Sequence, residues 1–403
     1  MSFAESKEIP QELLPSARPF LDLQSYRRRV RWTQGTLSSS NNRAEIVLPN
    51  EDACSLNGRL RFKVVVQNTG GGSNAAPEFN GASFIDRMRV DIGGSKIVDL
   101  DHYALMQNVI NVATDPTEQK GNRAYDSMTA AAQVSSVTRE GLTTFQYDIP
   151  LSVLDDSLLH HKRTLLPLFM LPRTTLSIWT ASDEAATSAV GAPATYQISN
   201  VELVMTFYTS PSLKQYFSSM PYSLPFTDTD HRLFVLPAGQ TQFDLQVPSN
   251  FRSLRGLFAV ARPDDIETDF AASNANITYD PLGGAGLKWN LRVNGFQLWQ
   301  EDIDGRDLFF DQLRRVFGNK VLRSEFFKNG TEFATDKFIL AAQMNALGGN
   351  EAFVSGARTN QHVSSLSIHI TTDTPLTAAL RMDVFLLHDK LLSISGGRLQ
   401  VIQ

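Results

Sequence analysis

Residues 26–32 read Tyr-Arg-Arg-Arg-Val-Arg-Trp and form the densest positive cluster in the chain. The guanidinium groups of Arg27, Arg28, Arg29 and Arg31 could each donate charge-assisted, salt-sensitive hydrogen bonds to phosphate. Lipid head groups and the nucleic-acid backbone both offer such phosphates. The other interpretation, which the sequence favours, is a solvated strand edge, because charge at an edge discourages aggregation.

Two further polar clusters lack the spacing that metal binding requires. Asp302, Asp304 and Asp307 lie near a glycine, but the Asp-x-Asp-x-Asp-Gly order and the closing glutamate of a calcium loop are missing. We expect them at the start of a helix, where the helix dipole favours negative charge. Adjacent His160 and His161 would point to opposite faces of a strand and could not readily share a metal, so we expect a polar loop there.

Enzyme motifs are also missing from the sequence. The other histidines show neither His-Glu-x-x-His spacing nor a Gly-x-Ser-x-Gly partner, and the glycine-rich run 283–286 lacks the Lys-Ser/Thr of a phosphate loop. Cys54 is the only cysteine, which excludes an internal disulfide and a multi-cysteine metal site. A lone cysteine of this kind is usually buried. We therefore expect no enzymatic activity, no cofactor and no small-molecule substrate.

These residues belong to a large globular chain. At 403 residues it exceeds the size at which one hydrophobic core keeps growing, so two domains are expected. The net charge of −5 provides no overall basic field for nucleic acid, and any such contact would need a local patch. The first 20 residues show no secretory pattern, and the apolar run 165–171 is much shorter than the roughly 20 residues of a membrane span. We expect the chain to fold in the cytoplasm.

Most of the chain consists of short segments with alternating or β-branched residues, separated by Gly, Pro, Asn, Asp and Ser. Segments such as RMRVDI (87–92) and LKWNLRV (287–293) are typical strands. Only two segments have clear helical spacing, one around Leu105–Ile110 and the other from Leu308 to Phe317. This pattern predicts an all-β sandwich with short helices.

The strand pattern occurs twice, about 200 residues apart. In each copy a strand, a glycine turn, a second strand, an acidic residue and a helix follow one another, which indicates an internal repeat. Three pairs of segments keep the same order in both halves: 55–67 with 251–262, 88–110 with 291–313, and 201–208 with 380–388.

The segment 209–230 contains three prolines and many Ser and Thr residues, and we place the boundary between the halves there. The predicted domains are an N-terminal arm (1–35), a first jelly roll (36–222) and a second jelly roll (223–403). The predicted fold is therefore all-β, with two tandem jelly-roll β-sandwiches (a double jelly roll) and short helices in each half.

The organisation resembles the double jelly-roll major capsid proteins of tailless icosahedral double-stranded DNA viruses, the adenovirus hexon lineage. The repeated units, LLPLFMLPRTTLSI (165–178) and YQISNVELVMTFYTSPSL (196–213) support the resemblance, which covers nearly the whole chain. It implies a homotrimer that forms a pseudo-hexagonal capsomer of a virion capsid lattice. It also implies penton and minor capsid proteins as partners, and an N-terminal arm that could meet an internal membrane or the genome.

Two other functions fit the same strand pattern. One is a carbohydrate-binding or carbohydrate-active double jelly-roll protein, which would need exposed aromatic platforms and paired acids. Trp32, Trp179, Trp289 and Trp299 all lie in predicted strands, which disfavours such platforms. The other is a viral spike or minor capsid protein.

Overall fold

A computed structural model describes residues 22–68, 76–77, 80–114, 136–139, 142–154, 156–188, 194–219, 221–267, 279, 282, 286–323, 337–344, 356–360, 365–395 and 398–402. Strands dominate these residues because the alternating apolar positions bury one face of each strand. Strand β4, for example, buries Leu60, Phe62 and Val64 and turns the residues between them outward.

The elements of the first half follow in chain order: β1 (Gln24–Arg31), β2 (Arg43–Val47), β3 (Ala53–Asn57), β4 (Arg59–Asn68), β5 (Ala76–Pro77), β6 (Ile85–Ile92), β7 (Ser95–Leu100), α1 (Tyr103–Thr114), β8 (Ser136–Arg139), β9 (Leu142–Pro150), β10 (His160–Pro167), β11 (Thr174–Thr180), α2 (Asp183–Ala186), β12 (Thr187–Ser188), β13 (Ala194–Thr209) and α3 (Pro211–Ser219).

The elements of the second half are β14 (Tyr222–Leu236), β15 (Gln242–Val247), β16 (Leu254–Pro263), β17 (Lys288–Val293), β18 (Phe296–Gln297), β19 (Ile303–Asp304), α4 (Arg306–Phe317), β20 (Leu340–Gln343), β21 (Leu366–Thr371), β22 (Leu380–Ser395) and β23 (Arg398–Ile402). Short 3₁₀ helices occur at Gly81–Phe84, Leu168–Met170 and Gly318–Arg323.

The two halves have the same strand order. One sheet of the first half contains the order β1-β13-β4-β9, and its counterpart in the second half is β14-β22-β16-β20. The facing sheets are β2-β11-β6-β7 and β15-β21-β17-β18. The eight principal strands are β1, β2, β4, β6, β7, β9, β11 and β13 in the first half, and β14 to β18 and β20 to β22 in the second. When they are numbered along the chain, the first, eighth, third and sixth strands form one sheet in both halves. The second, seventh, fourth and fifth form the other sheet, which is jelly-roll topology.

This topology confirms the internal repeat predicted from the sequence. The three pairs of segments correspond to β3 and β4 with β16, to β6, β7 and α1 with β17, β18, β19 and α4, and to β13 with β22. The helix prediction is also confirmed, because α1 contains Leu105–Ile110 and α4 contains the segment from Leu308 to Phe317. Gly318 follows with φ of 74°, a left-handed conformation that glycine adopts without strain.

Contacts divide the described residues into two compact units. The first unit takes its residues from 1–104, 124–228 and 390–402, and the second from 105–123 and 229–389. The core of the first unit contains an aromatic cluster around Phe84, and the core of the second is built around Trp289, Phe258 and Phe385. No helix among the described residues is long and apolar enough to cross a membrane.

Three local predictions need correction. The sequence assigns residues 1–35 to an arm, but Gln24–Arg31 is a strand of the larger sheet, where it pairs with β13 and Tyr26 stacks on Phe207. The boundary segment 209–230, which shows no periodicity in the sequence, contains helix α3. Its first residue is Pro211, and proline is tolerated in the first turn of a helix because the N–H groups there have no partner within the helix. His160 and His161 lie in strand β10 and not in a polar loop, because this segment pairs with β3.

Candidate functional site: a basic sheet face

Strand β1 is an edge strand of the first unit. It pairs antiparallel with β13 from Gln24 opposite Thr209 to Arg31 opposite Glu202. On its other side, the part of the chain that the structure describes contributes no strand. The arginine cluster therefore lies in a strand at the edge of the sheet.

The strand divides the four arginines between two faces, because successive side chains of a strand point to opposite sides. Arg27, Arg29 and Arg31 lie opposite Thr206, Val204 and Glu202 and point to the outer face. Arg28 lies opposite the buried Met205 and points the other way. The sequence cluster of four is therefore not one binding surface.

The side of β1 that carries Arg28 is already occupied by its own contacts. Arg28 lies 3.6 Å from a carboxylate oxygen of Glu51. Tyr26 stacks on Phe207 with 5.7 Å between the ring centroids and donates a hydrogen bond of 2.8 Å to Asp52. These contacts hold the edge strand against the sheet.

On the outer face, strand β4 adds three more cations. Arg61 of β4 lies opposite Glu202 of β13, which itself lies opposite Arg31, so the three residues form a row across three strands. Arg59 lies opposite Val204 in the next row, and Lys63 is exposed further along β4. We call this surface the basic face, and its members are Arg27, Arg29, Arg31, Arg59, Arg61 and Lys63.

Sequence reasoning missed the contribution of β4 to this surface. The signal was present, because RLRFK (59–63) alternates cations with apolar residues. However, only the register of β1 and β4 on β13 shows that the two alternations meet on one face.

Two carboxylates lie among the six cations of the basic face. Glu202 accepts from Arg31 at 2.7 Å and lies 3.9 Å from Arg29, and Asp148 of β9 accepts from Arg59 at 2.8 Å. Within the described residues, Arg27 and Lys63 form no ion pair, and the buried Nε of Arg61 has no hydrogen-bond partner. The face therefore has an excess of positive charge available to an anionic partner.

The other candidate groups have structural roles. Burial raises the pKa of the Cys54 thiol to about 12, so this residue is an inert thiol in the core. Asp307 lies in the first turn of α4, as expected, and Asp302 accepts a hydrogen bond of 2.9 Å from the amide of Asn290. A small cavity in the first unit is lined by apolar side chains such as Leu48 and Leu203, with Thr174 as the polar exception.

The tryptophans do not form exposed stacking platforms. Trp289 is fully buried, and Trp299 packs on it with 5.2 Å between the ring centroids. Trp179 has the guanidinium groups of Arg43 and Arg87 over its ring, each 5.2 Å from the centroid. No observation on these residues favours the carbohydrate alternative.

The sequence comparisons found no match, whereas structural comparison found several. No family model matches it, and no curated protein matches it. A chain of the PBCV-1 virus capsid is similar in structure, with a TM-score of 0.65 and 12% identity over 96% of this chain and 98% of that one. This chain has the double jelly-roll fold.

Two further solved structures share this double jelly roll. The Faustovirus major capsid protein matches with a TM-score of 0.67 and 8% identity, over 94% of this chain and 92% of that one. The mavirus major capsid protein matches with a TM-score of 0.53 and 9% identity, over 96% and 92% of the two chains. The likeness therefore extends over both jelly rolls and not over one sandwich alone.

Proposed function

We propose that this chain is the major capsid protein of an icosahedral virus. One observation carries the proposal: the double jelly roll matches nearly the full length of structures named as major capsid proteins, with little of either chain left over. A protein whose function is to tile a shell needs a particular shape and little chemistry. Polar groups of the basic face fit this role in part, since Glu202 and Asp148 form ion pairs with Arg31 and Arg59.

The proposed assembly is a homotrimer. Three copies of a chain with two similar sandwiches bring six jelly rolls around one axis, which gives a three-fold particle a nearly hexagonal outline. Closed cyclic symmetry also covers exposed sheet edges. Trimers would then tile into the capsid lattice, with penton and minor capsid proteins completing it.

Further parts of the proposal concern domain limits, location and internal contacts. We place the division between the jelly rolls near residue 222, where β14 begins, and let the first jelly roll include β1.

The protein would fold in the host cytoplasm and then reside in the virion capsid. The segment before β1 would face an internal membrane or the genome. The chain would have no enzymatic activity.

Mass and shape of the purified protein test this proposal. Native mass spectrometry should give three times the 44.7 kDa chain mass, and negative-stain images should show particles with a pseudo-hexagonal outline. A stable monomer at micromolar concentration would contradict the capsid function. If purified virions contained the chain only as a minor band, the spike or minor capsid alternative would replace it.

A further inference from the structure

One edge of strand β1 is an open position in the larger sheet of the first unit. Within the described residues, β1 pairs with β13 along one side and with no strand along the other. An open edge presents unpaired backbone N–H and C=O groups, and proteins use such edges to bind extended peptides as an added strand. The edge belongs to a single protomer, so its use goes beyond the proposed capsid function.

The hydrogen-bond ladder shows which residues of β1 face the open edge. The amide of Trp32, the residue after β1, donates to the carbonyl of Val201 across 2.9 Å. In an antiparallel ladder, successive residues direct both of their backbone groups alternately towards the partner strand and away from it. Since Trp32 faces β13, the backbone groups of Arg31, Arg29 and Arg27 point to the open edge.

The same three residues carry exposed cations on the outer face. Arg27, Arg29 and Arg31 are exposed and occupy alternate positions of the strand. A strand added antiparallel to β1 would place one side chain directly opposite each arginine, with about 5.5 Å between the Cα atoms. Opposite charges at such cross-strand positions are favourable, and like charges are unfavourable. The edge therefore selects a strand with an acidic residue at every second position.

The arginines also exclude a second β1 strand as the partner. Two β1 strands joined through their open backbone groups would bring arginine opposite arginine, which like-charge repulsion opposes. The positions between the arginines demand no charge from the added strand. Arg28 already lies 3.6 Å from a carboxylate oxygen of Glu51, and Val30 is apolar. The selectivity therefore lies on the outer face.

The required pattern of acids is almost missing from this chain itself. Three acidic residues at alternate positions occur in the sequence only once, at Asp265, Glu267 and Asp269. Glu267 is held by Arg262 and Arg381, each at 2.6 Å. The strand that fits β1 therefore comes from a different protein.

We propose that the open edge of β1 binds an extended segment of a second protein that has Asp or Glu at three alternate positions. The segment lies antiparallel to β1, and its backbone forms hydrogen bonds with that of Arg27, Arg29 and Arg31. Its carboxylates pair with the three guanidinium groups. Arg31 keeps its contact with Glu202, because a guanidinium group has several N–H donors.

Three synthetic peptides measure this selectivity. TEVEVET has glutamate at alternate positions, TEEEVVT has the same composition with adjacent glutamates, and TKVKVKT has lysine in place of glutamate. We expect TEVEVET to bind with a dissociation constant at least ~10-fold lower than either of the others, because only this peptide places a carboxylate opposite each arginine. Fluorescence anisotropy of labelled peptides with the full chain measures the affinities. Equal binding of TEVEVET and TEEEVVT would overturn the proposal.

N-methylation of the peptide backbone separates strand addition from loose charge attraction. In the antiparallel arrangement the N–H of the middle glutamate points to β1, whereas the N–H of the next valine points away. A methyl group on the glutamate nitrogen should raise the dissociation constant at least ~10-fold, and one on the valine nitrogen should raise it less than ~3-fold. The same effect at both nitrogens would mean that no strand is added at this edge, and the proposal would fail.

Charge reversal in β1 tests the arginines themselves. Arg27→Glu with Arg29→Glu should weaken the binding of TEVEVET at least ~10-fold and strengthen that of TKVKVKT. Lys63→Glu is the matched control, because Lys63 is exposed on the same face but lies two strands away, and it should change the affinity less than ~3-fold. Equal effects of the two reversals would contradict binding at the edge. Arg27→Gln with Arg29→Gln covers the case in which the reversed chain fails to fold, and it should also weaken the binding of TEVEVET.

Phosphate is the competing ligand for these arginines. The competitors are double-stranded DNA and vesicles of one part phosphatidylglycerol to three parts phosphatidylcholine. If either displaced TEVEVET and its binding required Arg27 and Arg29, the edge would bind phosphate and the proposal would be overturned. The oligomeric state of the chain decides the proposed function, whereas peptide binding decides the role of β1, so each can fail without the other.

Discussion

The two jelly rolls share one strand order, but among the described residues only the second unit buries an arginine and an aspartate completely, whereas the buried Lys390–Asp228 pair of the first unit keeps a few per cent of exposure. In the first unit the Phe84 ring packs against Tyr147 and Tyr196, with centroids 5.8 and 5.1 Å away, and all three side chains are buried. In the second unit the fully buried Arg262 lies 2.7 Å from the fully buried carboxylate of Asp383. The comparison teaches that strand order depends on the alternation of apolar residues and on the connections, and that it tolerates a charged core.

The charged core of the second unit is a connected network. Arg262 also pairs with Glu267 at 2.6 Å, and Glu267 pairs with Arg381 at 2.6 Å. The imidazole of His231 donates to Asp383 across 2.8 Å. Burial alone would raise the pKa of the Asp383 carboxyl, but the Arg262 charge and the His231 contact outweigh burial and hold this pKa far below its ordinary value. Each charge is therefore tolerated only while its partners remain.

The largest effect is expected where a buried charge loses its partner. Asp383→Ala removes the fully buried carboxylate that Arg262 and His231 share and leaves Glu267 as the remaining ion-pair partner of Arg262, so it should lower the free energy of unfolding by about 3 kcal/mol. Chemical denaturation followed by circular dichroism measures this loss. The matched control is Arg262→Met with Asp383→Leu, which removes both charges and should recover much of the stability. A loss below about 1 kcal/mol for the single variant would show that the network does not stabilise the second unit.

The aromatic core should respond through packing and not through charge. Phe84→Ala opens a cavity between Tyr147 and Tyr196 and should cost about 3 kcal/mol. Phe84→Leu retains more of the volume and should cost less than about 1.5 kcal/mol. The same denaturation measurements apply. Equal losses for the two variants would mean that the cluster is not closely packed.

The two cores should also differ in their response to acid. Because Asp383 has a lower pKa in the folded than in the unfolded chain, its contribution to stability is complete above the unfolded carboxyl pKa of about 4. It is lost as the pH falls below that value towards the folded pKa. Unfolding free energies measured between pH 6 and pH 3 should therefore fall less steeply in the Arg262→Met with Asp383→Leu variant than in the wild type. Parallel curves would contradict this role, and Phe84→Leu should leave the slope of the wild type unchanged.

The smallest effect is expected on the exposed face of a helix. Helix α4 is amphipathic, with Phe309 and Leu313 buried and an ion pair of 2.8 Å between Arg315 and Asp311 outside, whereas all residues of α1 are buried. Arg315→Ala should cost only about 0.3–0.5 kcal/mol, because water and salt screen an exposed pair. Thermal unfolding at low and high salt measures it. A loss of more than about 1 kcal/mol would mean that this pair acts as part of a network.

Much of the fold could be predicted from the sequence, because its signals are local. Period-two alternation gives strands such as Thr174–Thr180, and helical spacing gives Tyr103–Thr114 and Arg306–Phe317. The repeat of these signals at a separation of about 200 residues indicates two similar units. Helix α3 was missed because its proline and serines are read as loop residues, although a proline at the first helical position is compatible with a helix.

The surfaces could be predicted only in part, because they depend on residues far apart in the chain. The sequence by itself showed the charge of residues 27–31, since consecutive arginines need no partner to be recognised. It could not show that the Arg28 side chain points to the other face of β1. Nor could it show that Glu202 lies beside Arg31, or that Arg61 lies in the same row across the sheet. Only the tertiary structure decides this, because strand register moves a side chain from one face to the other and sets its neighbours across the sheet.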